Sequence, residues 1–404
     1  MQVLPHKNQT RKSKKILQKI GLVLVAFLIF VSGWGVGNGI IGIPAKKINT
    51  NKQLPSDLNY KTVEQVYDSL KSNFDGELSE SELLDGLKQG LAKASKDPYT
   101  EYLNIEDAKE FSEDITGTFT GIGAELEREE KNIIIVSPIS GFPAEKAGLR
   151  PRDIVAEIDG NSAYDISVQE AVKKIRGPEN TVVKLKIVRS GSQVIDVEIT
   201  RAKISIPSVE QKILDGNIGY VKISRYGDDT TRLVRDAALS FKSKNVKGVI
   251  LDVRNDPGGL LDAAVDVSNI WLEKGKTILE EKRGNVVVKQ FNAKNTPILK
   301  GVPTVVLIND GSASASEITA GALRDNNVAT LIGVKSFGKG SVQQLVNFGD
   351  GTVLKVTIAR WYTPSGKNID KEGINPDQEV KLTEEDAKAK RDPQLDAAIQ
   401  RLRQ

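Results

Sequence analysis

The hydrophobic positions of this 404-residue chain change their spacing along its length, and each spacing predicts a different kind of structure. Residues 20–45 contain no charged residue and begin with a dense apolar run, Ile20–Val31. Residues 60–115 carry apolar positions three and four apart, which indicates helices. Residues 116–202 show short alternating runs typical of strands, and after residue 206 strand-like runs alternate with helical ones.

The apolar run follows a basic segment, and this order is typical of an export signal. Residues 1–19 hold six Lys or Arg and no acid. The positive-inside rule therefore places them in the cytoplasm and the chain beyond residue 45 outside. Since about 20 apolar residues span a membrane, we expect a cytoplasmic tail at 1–19, a transmembrane signal anchor at 20–43 and a linker at 44–59. A cleaved signal peptide and a buried soluble helix are the alternatives.

The predicted helical region is residues 60–115. Its first apolar face consists of Val63, Val66, Tyr67 and Leu70, and the same spacing recurs between residues 83 and 91. Asp97-Pro98 interrupts the pattern and predicts a turn. These helices and a charged, helical tail at 381–404 could both build a homodimer.

The remaining two regions differ in the order of their elements. Residues 116–202 predict a small β-rich domain with a single helix near residues 167–175. Residues 203–380 alternate strands with helices, which predicts a largely parallel sheet with helices on its faces. In such a sheet, functional groups gather where strands end and helices begin.

Composition limits the chemistry that this chain can perform. It has no cysteine, and its only histidine is His6, in the basic tail. A Ser-His-Asp triad, a Cys-His pair and a multi-histidine metal site are therefore excluded. Beyond residue 19 the chain carries 51 basic and 53 acidic residues, which gives no support for nucleic-acid binding.

A serine-rich turn, Gly311–Glu317, lies at a predicted junction of strand and helix. A serine there would face main-chain N–H groups and the positive end of the helix, which favour a developing oxyanion. Ser314 and Glu317 also match a capping box, so any of the three serines, Ser312, Ser314 or Ser316, could simply begin the helix. Nucleophile and helix cap both remain open from this segment alone.

Lys339 is the candidate base for such a serine. A general-base lysine must be neutral, so its pKa must fall from about 10.4 toward about 7–8, which burial could achieve. The alternative is a solvated loop lysine. The segment Gly333–Lys339 also resembles a phosphate loop, but Gly340 replaces the required Ser or Thr and a strand follows instead of a helix.

Eight segments between residues 60 and 380, taken in order, resemble the carboxyl-terminal processing peptidases. These are Ser-Lys serine proteases with an inserted PDZ domain. The segments are Asp97-Pro-Tyr-Thr-Glu-Tyr-Leu103, Gly121-Ile-Gly-Ala124, Ala147-Gly-Leu149, Ile175-Arg-Gly177, Arg254-Asn-Asp-Pro-Gly-Gly259, Gly311–Glu317, Ser336-Phe-Gly-Lys-Gly-Ser-Val-Gln343 and Tyr362-Thr-Pro-Ser-Gly366.

The resemblance implies roles for four side chains. Ser314 would be the nucleophile and Lys339, 25 positions later, its base. Gln343 would orient the lysine, as the corresponding glutamine does in many members. Glu317 would support the site, as in some members of the family.

The resemblance also implies two main-chain donors for the oxyanion. They are the Ala315 N–H and a glycine N–H of the Pro-Gly-Gly loop, with Gly258 favoured over Gly259. Asp256 departs from the family, which usually has Asn at this position. Because the loop acts through its main chain, the departure should be tolerable.

The PDZ assignment has its own physical basis. Gly121, Ile122 and Gly123, before a strand, can point successive N–H groups at a terminal carboxylate. A plain turn that starts a strand is the alternative. Pro151-Arg152-Asp153 departs from the Gly-Asp usual in PDZ domains, and Arg176 could couple PDZ occupancy to the protease.

The implied fold is an α/β protease core at 203–380, built of βα units like those of crotonase and ClpP. It would carry an inserted β-rich PDZ domain at 116–202, the helical N-terminal region and an N-terminal transmembrane helix. The implied function is a serine endopeptidase that needs no cofactor or metal and cleaves exported or membrane proteins near apolar C-termini. It would act outside the cytoplasm, on a bacterial-type cell membrane. A catalytically silent PDZ scaffold and an acyl-processing enzyme are the alternatives.

Overall fold

The computed structural model describes residues 59–404, which divide into two units. Of the first unit, residues 59–79 are described, and they form helix α1 (Lys61–Asn73). No residue of α1 is buried, and its predicted apolar face at Val63, Val66, Tyr67 and Leu70 is exposed. Residues 80–404 form the second unit.

One part of the expected fold class is corrected, namely the transmembrane helix. Within residues 59–404 no helix is both long enough and apolar enough to cross a membrane. The segment predicted as an anchor, residues 20–43, lies outside the described residues, as does the basic tail at 1–19. The fold class is therefore an α/β core with a β-rich module and a helical N-terminal region.

The N-terminal part of the second unit is not purely helical, contrary to the pattern of its sequence. It consists of α2 (Glu80–Lys93), β1 (Glu101–Leu103) and α3 (Ile105–Thr116). The Asn104 side chain caps α3 by accepting a hydrogen bond from the Asp107 N–H at 2.9 Å. A strand of three residues is too short for periodicity to reveal it.

The β-rich module is a sheet of six strands with two helices. Its elements, with the two strands that flank it, are β2 (Thr118–Gly121), β3 (Ala124–Glu129), β4 (Asn132–Pro138), α4 (Pro143–Lys146), β5 (Ile154–Ile158), β6 (Asn161–Ser162), α5 (Val168–Ile175), β7 (Val182–Arg189), β8 (Gln193–Thr200) and β9 (Ala202–Ser205). The sheet order is β3-β4-β5-β7-β8, with β6 beside β5. Strands β2 and β9 pair antiparallel where the chain enters and leaves the module.

The rest of the chain forms the α/β core. Its elements are β10 (Val209–Leu214), β11 (Ile218–Ile223), α6 (Thr230–Ser243), β12 (Gly248–Asp252), α7 (Leu261–Ser268), β13 (Thr277–Arg283), β14 (Val286–Asn292), β15 (Thr304–Ile308), α8 (Ala315–Asp325), β16 (Ala329–Gly333), β17 (Ser341–Asn347), β18 (Val353–Tyr362), β19 (Gln378–Glu379), α9 (Glu384–Lys388) and α10 (Pro393–Arg403). The strands divide between two sheets.

The first core sheet has the order β10-β11-β12-β15-β16-β19 and is parallel except for β10. Its inner strands β11, β12, β15 and β16 are largely buried on both faces, as a parallel sheet requires, whereas the edge strands β10 and β19 are largely exposed. Helices α6, α7 and α8 cover one face, and α10 covers the other by packing near Ala398 against Ile250 and Leu307. The predicted C-terminal tail therefore uses its apolar side within its own chain.

The second core sheet is antiparallel and joins distant parts of the chain. Its order is β1-β18-β13-β14, with β17 also paired to β18. The hairpin β13–β14 is absent from the sequence prediction, although the alternation around Gly284 could have revealed it. Because β1 pairs with β18, the segment that precedes β1 is brought to the edge of the core.

Candidate active site

The serine-rich turn lies between β15 and α8, and the structure separates its three hydroxyl groups by their surroundings. Ser312 and Ser316 are completely buried. Ser312 Oγ donates to Val253 O at 2.7 Å, and Ser316 Oγ donates to Asp256 O at 3.1 Å. Ser314 is half-buried, so its hydroxyl is the one best placed in the turn to meet a substrate.

Ser314 has a main-chain conformation that non-glycine residues rarely adopt, with φ of 52° and ψ of −112°. Such conformations cost about 1–3 kcal/mol and cluster at functional sites. Ser314 immediately precedes α8, so it lies at the positive end of that helix. The Glu317 half of the predicted capping box is formed, because the Ser314 N–H donates to Glu317 Oε2 at 2.9 Å.

Glu317 joins the serine turn to the segment that carries the lysine. Its side chain is buried, and Oε1 accepts from Ser336 Oγ at 2.6 Å and from the Gly338 N–H at 2.8 Å. Oε2 accepts from the N–H groups of Ser314 and Lys339, both at 2.9 Å. Burial raises the pKa of Glu317, against these four hydrogen bonds that favour its charged form. One carboxylate thus holds both candidate catalytic segments side by side.

Lys339 lies half-buried between β16 and β17. Its carbonyl accepts a hydrogen bond from Trp361 Nε1 at 3.0 Å, and its Nζ lies 5.3 Å from the centre of the Tyr99 ring. Burial lowers the pKa of Lys339, as does the positive charge on Lys355, whereas Glu317 raises it. The net lowering is the direction that a general base requires.

The three predicted catalytic side chains are not joined by hydrogen bonds to one another. In the described part of the chain, none links the Ser314 hydroxyl to the Lys339 amine. Gln343 Nε2 donates instead to Ser341 Oγ at 2.7 Å, on the same strand. Because catalytic hydrogen bonds often tighten only with substrate bound, the contact between serine and lysine and the orienting role of Gln343 stay predictions.

The Pro-Gly-Gly loop lies against the serine turn, but its two glycines differ. A side-chain carbon at Gly258 would lie 2.8 Å from Ser314 Cβ and 2.9 Å from Ala315 N, so only glycine fits. The Gly258 N–H donates to Asp256 Oδ1 at 2.8 Å. The N–H groups of Ala315 and Gly259 have no acceptor within residues 59–404. The geometry therefore favours Gly259 over Gly258 as the second oxyanion donor.

Tyr226 holds the Pro-Gly-Gly loop from the neighbouring strand end. Its N–H donates to Gly258 O at 2.8 Å, and its carbonyl accepts from the Leu260 N–H at 2.7 Å. Gly259 lies between these two bonds with φ of 142°, and a side-chain carbon there would lie 2.2 Å from Tyr226 O. Glycine is thus required at both positions of the loop, for different reasons.

Sequence reasoning missed the contribution of the segment before β1. Residues 97–103 were given no role in the site, yet the Tyr99 ring lies beside Nζ of Lys339, the candidate base. Asp97 fixes this turn by accepting from Thr100 Oγ1 at 2.6 Å. Thr100 Oγ1 also accepts from the Thr357 N–H at 3.1 Å, which ties the turn to β18. Only the pairing of β1 with β18 brings these residues to the site.

The site contains no cluster typical of a metal centre. Among residues 59–404 no three His, Cys, Asp or Glu side chains are grouped so that they could hold a metal ion. The chemistry available at the site is that of a hydroxyl, an amine and main-chain N–H donors.

Comparison with known proteins gives the family. Residues 217–380 match the model of peptidase family S41, and residues 134–189 match a PDZ domain. The carboxy-terminal processing protease CtpA of Bacillus subtilis is 39% identical over 363 residues, which cover 89% of this chain and 75% of that protein. This chain belongs to the carboxy-terminal processing proteases of peptidase family S41.

One further relative agrees with that assignment, and one solved structure agrees with the fold. A relative from Staphylococcus haemolyticus, named as a CtpA-like serine protease, is 38% identical over 93% of this chain and 75% of its own length. The crystal structure named for an S41 protease of Bacteroides fragilis is 16% identical, with a TM-score of 0.50, and covers 82% of this chain and 92% of that one. The latter concerns the fold alone.

Membership of the family establishes the broad activity. The protease is a serine-type, carboxyl-terminal processing peptidase, and these relatives are bacterial. A protease with a PDZ domain acts on protein or peptide substrates. The expected location outside the cytoplasm depends on residues 1–45, which lie outside the described residues.

The predicted carboxylate loop of the PDZ domain, residues 121–123, connects β2 to β3. Gly123 has φ of 74°, and a side-chain carbon there would lie 2.5 Å from Phe142 Cβ. Ile122 is buried in the domain core, and Gly121 ends β2. Within the described chain the N–H groups of Ile122 and Gly123 have no acceptor, so both could bind an anion.

The turn Pro151-Arg152-Asp153, which departs from the usual PDZ sequence, contains one residue in a strained main-chain conformation and one in a buried ion pair. Arg152 stands where PDZ domains usually have glycine, and it adopts φ of 69°. Asp153 is buried and accepts from Arg189 Nε at 2.8 Å and Nη2 at 2.7 Å. This turn lies within the PDZ domain and contributes no group to the protease site.

Arg176 connects the PDZ domain to α3. Its Nη1 donates to Glu113 Oε2 at 2.9 Å, and its guanidinium carbon lies 4.6 Å from the centre of the Phe119 ring. A second ion pair, between Lys173 and Glu106 at 2.8 Å, also joins α5 to α3. Arg176 is therefore placed at the boundary of the domain and not at the protease site.

Proposed function

We propose that this protease cleaves protein substrates near their C-termini with Ser314 as nucleophile and Lys339 as general base. Ser314 Oγ attacks the scissile carbonyl carbon, and its proton passes to neutral Lys339 Nζ. The same proton then goes to the leaving amine as the C–N bond breaks. Water then attacks the acyl carbon, and Lys339 takes its proton and returns it to Ser314 Oγ as the ester C–O bond breaks.

The observation that carries this proposal is the shared Glu317 carboxylate. Because the N–H groups of Ser314 and Lys339 bind the same oxygen at 2.9 Å, their main-chain nitrogens are no more than twice that distance apart. The contact places the segments of the proposed nucleophile and base side by side, as catalysis by a Ser-Lys pair requires. The lowered pKa of Lys339 supports its role as a base.

The proposed oxyanion donors are the N–H groups of Ala315 and Gly259. Both lack an acceptor within residues 59–404, and Ala315 begins α8, where the helix dipole adds to the stabilisation of negative charge. One missing donor of this kind typically costs about 10²–10³ in kcat.

The PDZ domain is proposed to capture an apolar C-terminal tail. The terminal carboxylate would bind the N–H groups of Ile122 and Gly123, and the peptide would add as a strand beside β3. Arg225 offers a route to the protease site, because it donates to Thr116 O at 3.2 Å, at the end of α3, and precedes Tyr226 in the chain. Tyr226 in turn holds the Pro-Gly-Gly loop.

The proposal is tested with an unfolded protein substrate and mass spectrometry of the product ends. Ser314→Ala and Lys339→Ala should each reduce kcat/KM at least about 10³-fold while circular dichroism and thermal unfolding stay near those of the wild type. Lys339→Arg keeps a charge but cannot act as a base, so it should be equally inactive. If Ser316→Ala loses activity and Ser314→Ala keeps it, the nucleophile is Ser316 and not Ser314.

The PDZ role is tested separately from the chemistry. A substrate with a C-terminal amide should bind more weakly than its free acid, since it lacks the carboxylate. Arg176→Ala should change the cleavage of long-tailed substrates relative to short peptides. Unchanged cleavage of both substrate classes would remove Arg176 from the proposal, and tail binding without any turnover would favour a scaffold.

A further inference from the structure

Asp256 lies in the Pro-Gly-Gly loop, and its carboxyl lies beside the proposed oxyanion donors. Its main-chain carbonyl accepts from the Ala313 N–H at 3.0 Å and from Ser316 Oγ at 3.1 Å. These two residues flank Ser314 and Ala315. The side chain accepts from the Gly258 N–H at 2.8 Å through Oδ1. Asp256 therefore fastens the Pro-Gly-Gly loop to the serine turn on both sides of the nucleophile.

The other carboxyl oxygen has no such partner. Asp256 is completely buried, and Oδ2 has no hydrogen-bond partner in the described part of the chain. The hydroxyl groups of Tyr226 and Thr319 are also buried without partners there. A buried anion with one of its two oxygens unsatisfied is costly, whereas a neutral carboxyl carries a proton that can be donated.

We propose that Asp256 is a positioning residue of the oxyanion site that supports catalysis as the neutral acid and weakens it when ionised. The inference rests on the proposed function of Ser314. A negative charge one hydrogen bond from Gly258 would oppose the negative charge that develops on the tetrahedral intermediate. A neutral carboxyl fastens the loop through the same contacts without that opposition.

The ionisable groups that interact with Asp256 are Arg225 and Tyr226. Burial raises its pKa to about 7, against the hydrogen bond from Gly258, the nearby Ser316 hydroxyl and the positive charge of Arg225. Tyr226, on the same strand-end loop as Arg225, is itself completely buried, and burial together with the Asp256 charge raises its pKa well above the usual value. Arg225 is thus the cation that favours ionisation, and Tyr226 stays neutral.

The consequence is a second proton requirement on activity. Lys339 must lose a proton before it can act, so deprotonation of Lys339 favours activity. Asp256 must keep its proton, so ionisation of Asp256 opposes activity. The two requirements together limit kcat/KM at both ends of the pH range, and a variant without the Asp256 carboxyl should lose one of the two limits.

The decisive variant is Asp256→Asn, which keeps an acceptor for the Gly258 N–H and cannot ionise. The ratio of its kcat/KM to that of the wild type should rise at least tenfold between pH 6 and pH 9. Asp262→Asn is the matched control, since it makes the same change at an exposed position on α7, and its ratio should stay flat. A flat ratio for Asp256→Asn, in an enzyme that depends on Ser314, would overturn the proposal.

A measurement on the wild-type protein covers the case in which Asp256→Asn does not fold. Carbon-13 NMR of protein labelled at the aspartate carboxyls should show one carboxyl that titrates near neutral pH. If every aspartate titrates below pH 5, the proposal is wrong whatever the activity. Absence of any Ser314-dependent cleavage would instead count against the proposed function, and the NMR result would still decide the state of Asp256.

Discussion

Glu317 and Asp256 are both buried acids beside Ser314, and they differ in the number of donors that face them. The Glu317 carboxylate receives four hydrogen bonds, three of them from main-chain N–H groups. The Asp256 carboxyl receives one, and its second oxygen has no partner within the described residues. Burial raises the pKa of both, but only Glu317 has the donors to remain charged at low cost. The comparison teaches that the number of hydrogen-bond donors around a buried carboxyl, more than the extent of its burial, decides whether it can stay charged.

The largest effect should follow from Glu317→Gln. An amide would turn its NH₂ group toward N–H donors, so at least one segment would lose its partner and both Ser314 and Lys339 would move. We expect the free energy of unfolding to fall by about 3–5 kcal/mol and kcat to fall at least about 100-fold. Urea unfolding and steady-state kinetics measure the two effects.

The control for this variant is Glu273→Gln, which removes an exposed charge paired with Lys300 at 2.6 Å. Exposed pairs contribute about 1 kcal/mol or less, so the control should resemble the wild type. If Glu317→Gln is as stable as the control, the four-donor site does not hold the two segments together.

Asp256→Asn should stabilise the folded protein, in contrast to Glu317→Gln, and the stabilisation should grow with pH. The Asp256 pKa rises from 3.8 in the unfolded chain to about 7 in the folded protein, so between these pH values the folded state holds the proton that the unfolded state has lost. Stability of the wild type therefore falls as pH rises through this window. Asn does not titrate, so the advantage of Asp256→Asn should grow by up to about 4 kcal/mol from pH 4 to pH 8.

Denaturant unfolding at several pH values measures this difference. Asp262→Asn, at an exposed position, should give a difference from the wild type that does not change with pH. A constant difference for Asp256→Asn as well would place its folded-state pKa near the ordinary value and would remove the contrast with Glu317.

The smallest effect should come from Lys355, which lies on β18 and pairs with Glu101 at 2.9 Å. Its positive charge helps to lower the pKa of Lys339, so Lys355→Met should raise that pKa. The pKa that belongs to Lys339 in the kcat/KM profile should then rise by less than about one unit, because the Lys355 charge is only one of several causes. Steady-state kinetics from pH 5 to pH 10 measure this pKa.

Lys289→Met is the matched control, because both lysines lie over a phenylalanine ring: Lys355 Nζ is 5.3 Å from the centre of the Phe111 ring and Lys289 Nζ is 4.2 Å from that of Phe291. Both pKa values in the profile of this control should stay in place. Movement in Lys355→Met of the pKa that Asp256→Asn removes would contradict the assignment of the two pKa values to two different groups.

Local patterns predicted much of the fold because they depend on neighbouring residues. The βα alternation of the core, the helix at 168–175 and the helix that begins after Ser314 all follow from spacing and capping. Strand β1 and the hairpin β13–β14 were missed, because a short strand is stabilised by its partner strand and not by its own pattern. The expected transmembrane helix is not among the described helices.

The sequence by itself limited which groups could react, since in a chain without cysteine or a usable histidine a serine activated by a lysine is the best remaining candidate for covalent catalysis. It also marked the glycines that let two loops approach each other. Only the tertiary structure decided that the Gly258 N–H is occupied and that Glu317 joins Ser314 to Lys339. The same holds for the partner missing at Asp256. The physical reason is that hydrogen bonds and burial depend on segments that are distant in sequence and meet only in the folded chain.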